Sequence, residues 1–191
     1  MLALDPRTTA LVLIDVQKGV LSMPLAPYGA AQIVQNAARL GLHFDEVGAV
    51  VALVHVAFSD KAIDRLSQPV DAPSASASLP ADWADFAPEI GALRADIVVT
   101  KRQWGAFYGT ELDLQLRRRG VNTIVLAGVA TNFGVESTAR EAWQHNYAVV
   151  IAEDAVTSVG EDMHKFSIEK VLPRIARVRS TAEIVGALPS L

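Results

Sequence analysis

The chain has 191 residues, of which 51% are hydrophobic and 20% charged; about 100–200 residues suit one domain, so a single domain over residues 1–191 with a sizeable apolar core is expected. Net charge is −4, and the one dense basic cluster, Arg117-Arg118-Arg119, ends a predicted helix where cations complement the dipole, so no nucleic-acid partner is expected. Cysteine is absent, which excludes disulfides, thiolate metal ligands and thiol nucleophiles.

Apolar runs rich in Val and Ile recur between helical patterns, as strands buried on both faces of a parallel sheet do. In chain order the predicted strands are Thr9–Val16, Ala49–Ala57, Ile97–Thr100, Thr123–Ala127 and Ala148–Ala152, with a short edge strand at Ala176–Val178. The predicted helices are Ala30–Val47, Leu112–Arg119, Asn132–His145, Asp162–Leu172 and Thr181–Leu188. Thr110 with Asp113, and Ser180 with Glu183, have capping-box spacing, and Gly120 stands where a helix-ending glycine belongs. None of the apolar runs approaches the roughly 20 residues of a membrane span. The start, Met1-Leu2-Ala3-Leu4-Asp5, has no basic region before an apolar one, so a cytoplasmic protein without membrane contact is expected.

Strands alternating with helices imply right-handed crossovers and an α/β three-layer sandwich around a mostly parallel sheet of five to six strands. Ligands of such sheets bind beyond the carboxyl ends of the strands. The stretch 59–88 breaks the rhythm, with little periodicity in Pro73-Ser74-Ala75-Ser76-Ala77-Ser78, and reads as a surface excursion that covers the pocket, meets a neighbouring subunit or has no role.

Three features fall at the ligand-binding edge. Asp15 follows the apolar Leu11-Val12-Leu13-Ile14, and Lys101 closes Ile97-Val98-Val99-Thr100. Singly, Asp15 reads equally well as a turn cap and Lys101 more readily as a solvated strand-end lysine; together, two opposite charges on one rim resemble an acid/base pair. The third is the junction Gly128-Val129-Ala130-Thr131-Asn132-Phe133-Gly134, where small residues carry a strand into a helix. Such a junction either aims N–H groups at an anion or merely packs tightly.

Asp15 in Leu13-Ile14-Asp15-Val16-Gln17, Lys101 in Thr100-Lys101-Arg102 and the segment 128–140 resemble the isochorismatase-like hydrolases, also called the cysteine hydrolase family. The likeness spans nearly the whole chain in the right order. It implies a catalytic Asp15 and Lys101, a cis peptide at Val129–Ala130, and a third catalytic position at Gly134, where many members carry a nucleophilic Cys. Gly134 argues against amide hydrolysis through a thiolate. Isochorismatases of the family also carry Gly there and cleave a vinyl ether: an acid protonates the enol carbon, water adds, and pyruvate leaves. The resemblance further implies a homo-oligomer acting on a small-molecule substrate.

Candidate substrate contacts are Gln17, Gln103, Trp104, Phe107, Tyr108, Ala130, Thr131 and Phe133. Ser137, one helical turn beyond Gly134, has no adjacent His to activate it. The histidines lack metal-site spacing, so no metal or other cofactor is expected. A catalytically silent member that binds a small molecule or assembles is the alternative function; a nucleotide-dependent oxidoreductase fails because no Gly-x-Gly-x-x-Gly follows the first strand.

Overall fold

The computed structural model describes residues 2–72 and 79–190. The Pro73–Ser78 tract lies outside the described residues. Six strands form one parallel sheet in the order β3-β2-β1-β4-β5-β6. They are β1 (Thr9–Ile14), β2 (Val50–Val56), β3 (Ile97–Lys101), β4 (Thr123–Val129), β5 (Ala148–Thr157) and β6 (Arg177–Arg179).

Alternation along β1 explains its wholly apolar sequence. Ala10, Val12 and Ile14 enter one core with α4 (Leu112–Arg118) and α5 (Glu136–Gln144). Leu11 and Leu13 enter the other, with the short α1 (Lys18–Leu21), α2 (Ala30–Glu46), α3 (Pro88–Gly91) and α7 (Thr181–Ala187). Both faces of the sheet are therefore covered, which makes the three-layer α/β sandwich.

The strand-to-helix order holds, with instructive differences at the ends. β4 runs two residues past Ala127 through Gly128, whose φ of +122° suits glycine and where a Cβ would lie 1.9 Å from the Ile14 carbonyl oxygen. β5 continues past the polar Glu153-Asp154 pair because the ladder with β4 slips there, resuming with Val156 beside Gly128. Asp154 instead accepts from the Thr181 N–H and hydroxyl at the start of α7. The predicted helix at Asn132 opens one residue earlier as a π-helical turn, Thr131–Val135, before α5. The helix predicted over 162–172 is α6 (Glu161–Phe166), then a second π turn at Ser167–Val171 and a 3₁₀ turn ending at Arg174.

The capping box at Ser180 and Glu183 is complete. That at Thr110 and Asp113 is not: Thr110 Oγ1 accepts from the Leu112 N–H, while Asp113 accepts from the Tyr147 hydroxyl. Gly120 has the left-handed φ of +73° that ends α4. Among the described residues no helix is long and apolar enough to cross a membrane.

Gly128→Ala should prevent soluble folding or cost more than about 3 kcal/mol, because the added methyl meets backbone on the neighbouring strand. Urea unfolding checks this; a loss under about 1 kcal/mol would contradict the packing described.

Candidate active site

Asp15 is the first residue beyond β1 and takes a left-handed φ of +51°. Its N–H donates to the Val54 carbonyl at 2.8 Å, which fixes the bend over the end of β2. Lys101 ends β3 on the same face as Ile97 and Val99, and this parity carries its side chain inward. β2 lies between β1 and β3, a span of about 10 Å at ordinary strand spacing. The lysine stem crosses it: Lys101 Nζ donates to Asp15 Oδ2 at 2.6 Å.

The ammonium donates two further hydrogen bonds, to the carbonyls of Gln103 at 3.1 Å and Trp104 at 2.9 Å. Its three donors are thus all committed within the protein. Lys101 and Asp15 are 1% and 5% exposed. Asp15 Oδ1, also buried, has no hydrogen-bond partner among the described residues. The nearby Val56 N–H donates to Gln17 Oε1 at 2.9 Å. Burial pushes the Asp15 carboxyl up to about 6, against the opposing pull of Lys101. Oδ2 is held by the lysine, so Oδ1 is the oxygen of this carboxyl left unengaged among the described residues.

The peptide Val129–Ala130 is cis, as the resemblance implies. The π turn after it sets Gly134 beside the carboxyl: a Cβ there would stand 3.2 Å from Asp15 Oδ2 and 3.1 Å from Ile14 Cγ2. A side chain at 134 would therefore touch Asp15, and glycine leaves that place open.

Over the strand ends lies an apolar cluster of Val20, Ile33, Val129 and Ala130, joined by Tyr28, Val56, Trp83 and Phe133. Trp83 comes from the excursion, whose near end is tied down. The Gly19 N–H donates to the Trp83 carbonyl at 2.9 Å, and Lys18 pairs with Asp82 and Asp85. Trp83 packs so closely on Gly19 that a Cβ there would fall 1.9 Å from the indole. His55 bonds the Ala84 carbonyl at 2.8 Å and stacks on Phe86.

Of the expected substrate contacts, Ala130 and Phe133 belong to this cluster. Phe133 carries the half-exposed Trp104 ring at 4.9 Å. Gln17 and Gln103 do not offer free amides. Gln17 Nε2 donates to the Val56 and Trp83 carbonyls, and Gln103 Nε2 to those of Gly105 and Tyr108. Phe107 is a core residue stacked against His145 and Tyr147, and Tyr108 points to solvent. The Thr131 hydroxyl is bound to His164. Sequence reading missed Trp83 and Tyr28, which lie in segments without periodicity, and His164, one apolar-side position of a short helix. Among the described residues no group of three His, Asp or Glu is placed to hold a metal ion.

A family profile for the isochorismatase domain matches residues 9–183. The chain belongs to the isochorismatase family. It is 50% identical over 188 residues to the isochorismatase family protein YecD of Escherichia coli O157:H7, covering 98% of this chain and all of YecD (100%). It is 48% identical over 186 residues to YwoC of Bacillus subtilis (strain 168), covering 96% of each. A solved isochorismatase family protein from Burkholderia thailandensis superposes with a TM-score of 0.93 at 41% identity, covering 98% of both chains.

The folded carboxyl value of about 6 lies above the ordinary 3.8, so Asp15 favours the folded state most below about pH 4 and loses that contribution as pH rises through 6. Lys101→Met raises the Asp15 value further and leaves a carboxylate without its counter-charge at high pH. The expected loss is about 3–5 kcal/mol at pH 8 and clearly less at pH 5, where the acid is neutral. Urea titrations at the two pH values check it; equal losses would contradict a buried, ionising partner.

Proposed function

We propose that this member of the isochorismatase family is a hydrolase that works without a covalent nucleophile, with Asp15 as its proton carrier. The observation that carries the reading is the unpartnered, buried Asp15 Oδ1 on a carboxyl raised to about 6, beside a glycine at position 134. An acid of that strength populates both protonation states near neutrality, as an acid/base catalyst must.

Cleavage of an isochorismate-like enol ether fits these parts. Asp15 Oδ1–H delivers its proton to the terminal enol carbon, converting the C=C into a methyl group and the ether carbon into an oxocarbenium. Water adds to that carbon and returns one proton to Asp15; the hemiketal hydroxyl proton passes to the ether oxygen as the C–O bond breaks, and the alcohol and pyruvate leave. Lys101 sets the proton affinity of Asp15 and fixes its orientation. Its three donors being occupied, holding the substrate anion falls to other groups. The apolar cluster over the strand ends supplies a poorly hydrated environment in which a proton on a carboxyl persists.

A second reading, a small-molecule-binding protein without turnover, is favoured by the near-complete closure over Asp15 and Lys101. The two separate cleanly. Hydrolysis predicts pyruvate release from isochorismate, reduced at least about a hundredfold in Asp15→Asn. If Asp15 acts as the acid, the rate falls by about tenfold per unit above pH 6. Binding alone predicts no pyruvate, and a ligand-induced rise in Tm that survives Asp15→Asn.

A further inference from the structure

The π turn that carries Gly134 is braced from behind by three side-chain hydrogen bonds. Ser158 Oγ donates to Asn132 Oδ1, and Ser167 Oγ donates to Glu136 Oε2 at 2.6 Å, one residue beyond the turn. The third joins Thr131 Oγ1 to His164 Nδ1 at 2.9 Å. Thr131 is fully buried and opens the turn; His164, on α6, is 7% exposed. The Tyr28 ring meets the imidazole edge-on, with centroids 5.7 Å apart and planes at 86°. Tyr28 is itself fastened, its N–H donating to Thr157 Oγ1 and its carbonyl accepting from the same hydroxyl at 2.7 Å. The imidazole plane is therefore fixed on one side by Tyr28 and its Nδ1 on the other by Thr131.

The front of the same turn faces the carboxyl. A Cβ at Gly134 would stand 3.2 Å from Asp15 Oδ2 and 3.3 Å from the Val129 carbonyl oxygen, so about a methyl's width separates turn and acid, and both Gly134 and Asp15 are buried there. A recoil of the turn by roughly an ångström would admit solvent to a carboxyl whose proton affinity depends on being dry.

We propose that His164 is a positioning residue of this site: by gripping Thr131 it holds the π turn against Asp15 and keeps water from the carboxyl. His164 does not act on a substrate. Burial pulls its basicity below the ordinary histidine range, against a weaker opposing influence of Glu161 on its own helix, so the neutral ring that makes this bond persists at neutral pH. The inference goes beyond the hydrolase reading, because its readout is the ionisation of Asp15 and not turnover.

The test is carbon-13 NMR of the full chain with carboxyl-labelled aspartate, the Asp15 signal being assigned by its loss in Asp15→Asn. His164→Leu and Thr131→Val should each lower the Asp15 titration midpoint, raising its acid dissociation constant at least about threefold. The double variant should shift it no further than either single one. His164→Asn and Thr131→Ser, which keep a polar partner, should restore at least half of the shift. A midpoint unmoved in His164→Leu and Thr131→Val, with or without a fall in Tm, would reduce His164 to a packing residue and overturn the proposal; so would additive shifts. Should His164→Leu fail to fold, the Thr131→Val and Thr131→Ser pair decides on its own.

Discussion

The ion pair between Lys101 and Asp15 is the interaction around which the rest of the site is arranged. Two charges have been taken almost wholly out of water, which costs several kcal/mol per ion unless geometry and further hydrogen bonds repay it. The lysine is repaid in full, by one carboxylate oxygen and two backbone carbonyls. The aspartate is repaid by half, with Oδ2 satisfied and Oδ1 left without a partner. The asymmetry leaves the cation fixed by three partners and the acid with one oxygen unengaged among the described residues. It also explains why the carboxyl rises rather than falls in spite of an ammonium at 2.6 Å, since desolvation outweighs attraction.

Holding such a pair requires unusual backbone on three sides. Asp15 is in a left-handed conformation that few non-glycine residues adopt, Gly128 allows β4 to pass against the Ile14 carbonyl, and the strand-to-helix junction tightens into a π turn. Such departures are expected where a fold is adapted to a task and elsewhere compensated. Here the compensation is visible as side chains devoted to backbone. Gln17 bridges β2 to the Trp83 segment, Gln103 closes the loop after β3, and His55 fastens Ala84. The chain belongs to the isochorismatase family, and with no cysteine in the sequence position 134 offers no thiolate.

Much of this was legible in the sequence for physical reasons. Strands buried on both faces must be apolar at every position, so Leu11–Ile14 and Val125–Ala127 announced themselves, and a charge terminating such a run marks the rim. The register of β3 was harder: Lys101 is inside because it shares parity with Ile97 and Val99, which alternate with exposed Val98 and Thr100 on a sheet edge. The extension of β5 past Glu153 and Asp154 was hidden because a ladder slip lets polar residues leave the sheet and the strand resume. The amides of Gln17 and Gln103, the core place of Phe107 and the contact of Thr131 with His164 depend on tertiary neighbours that local pattern does not encode. Trp83 and Tyr28 lie in segments without periodicity, and their place over the strand ends follows from contacts with Gly19 and Thr157 far away in the chain.

The crossing of β2 by the Lys101 stem makes the site an indicator of correct sheet assembly. Lys101 and Asp15 are 86 positions apart in the chain and belong to strands that never touch; only β2, paired with both, brings them within reach. Because side chains alternate, a slip of β3 by one residue would turn the ammonium to solvent and present Thr100 in its place. A misregistered sheet of nearly the same apolar content would then carry a buried carboxyl without its counter-charge. An intact Lys101–Asp15 pair thus certifies the pairing of three strands at once.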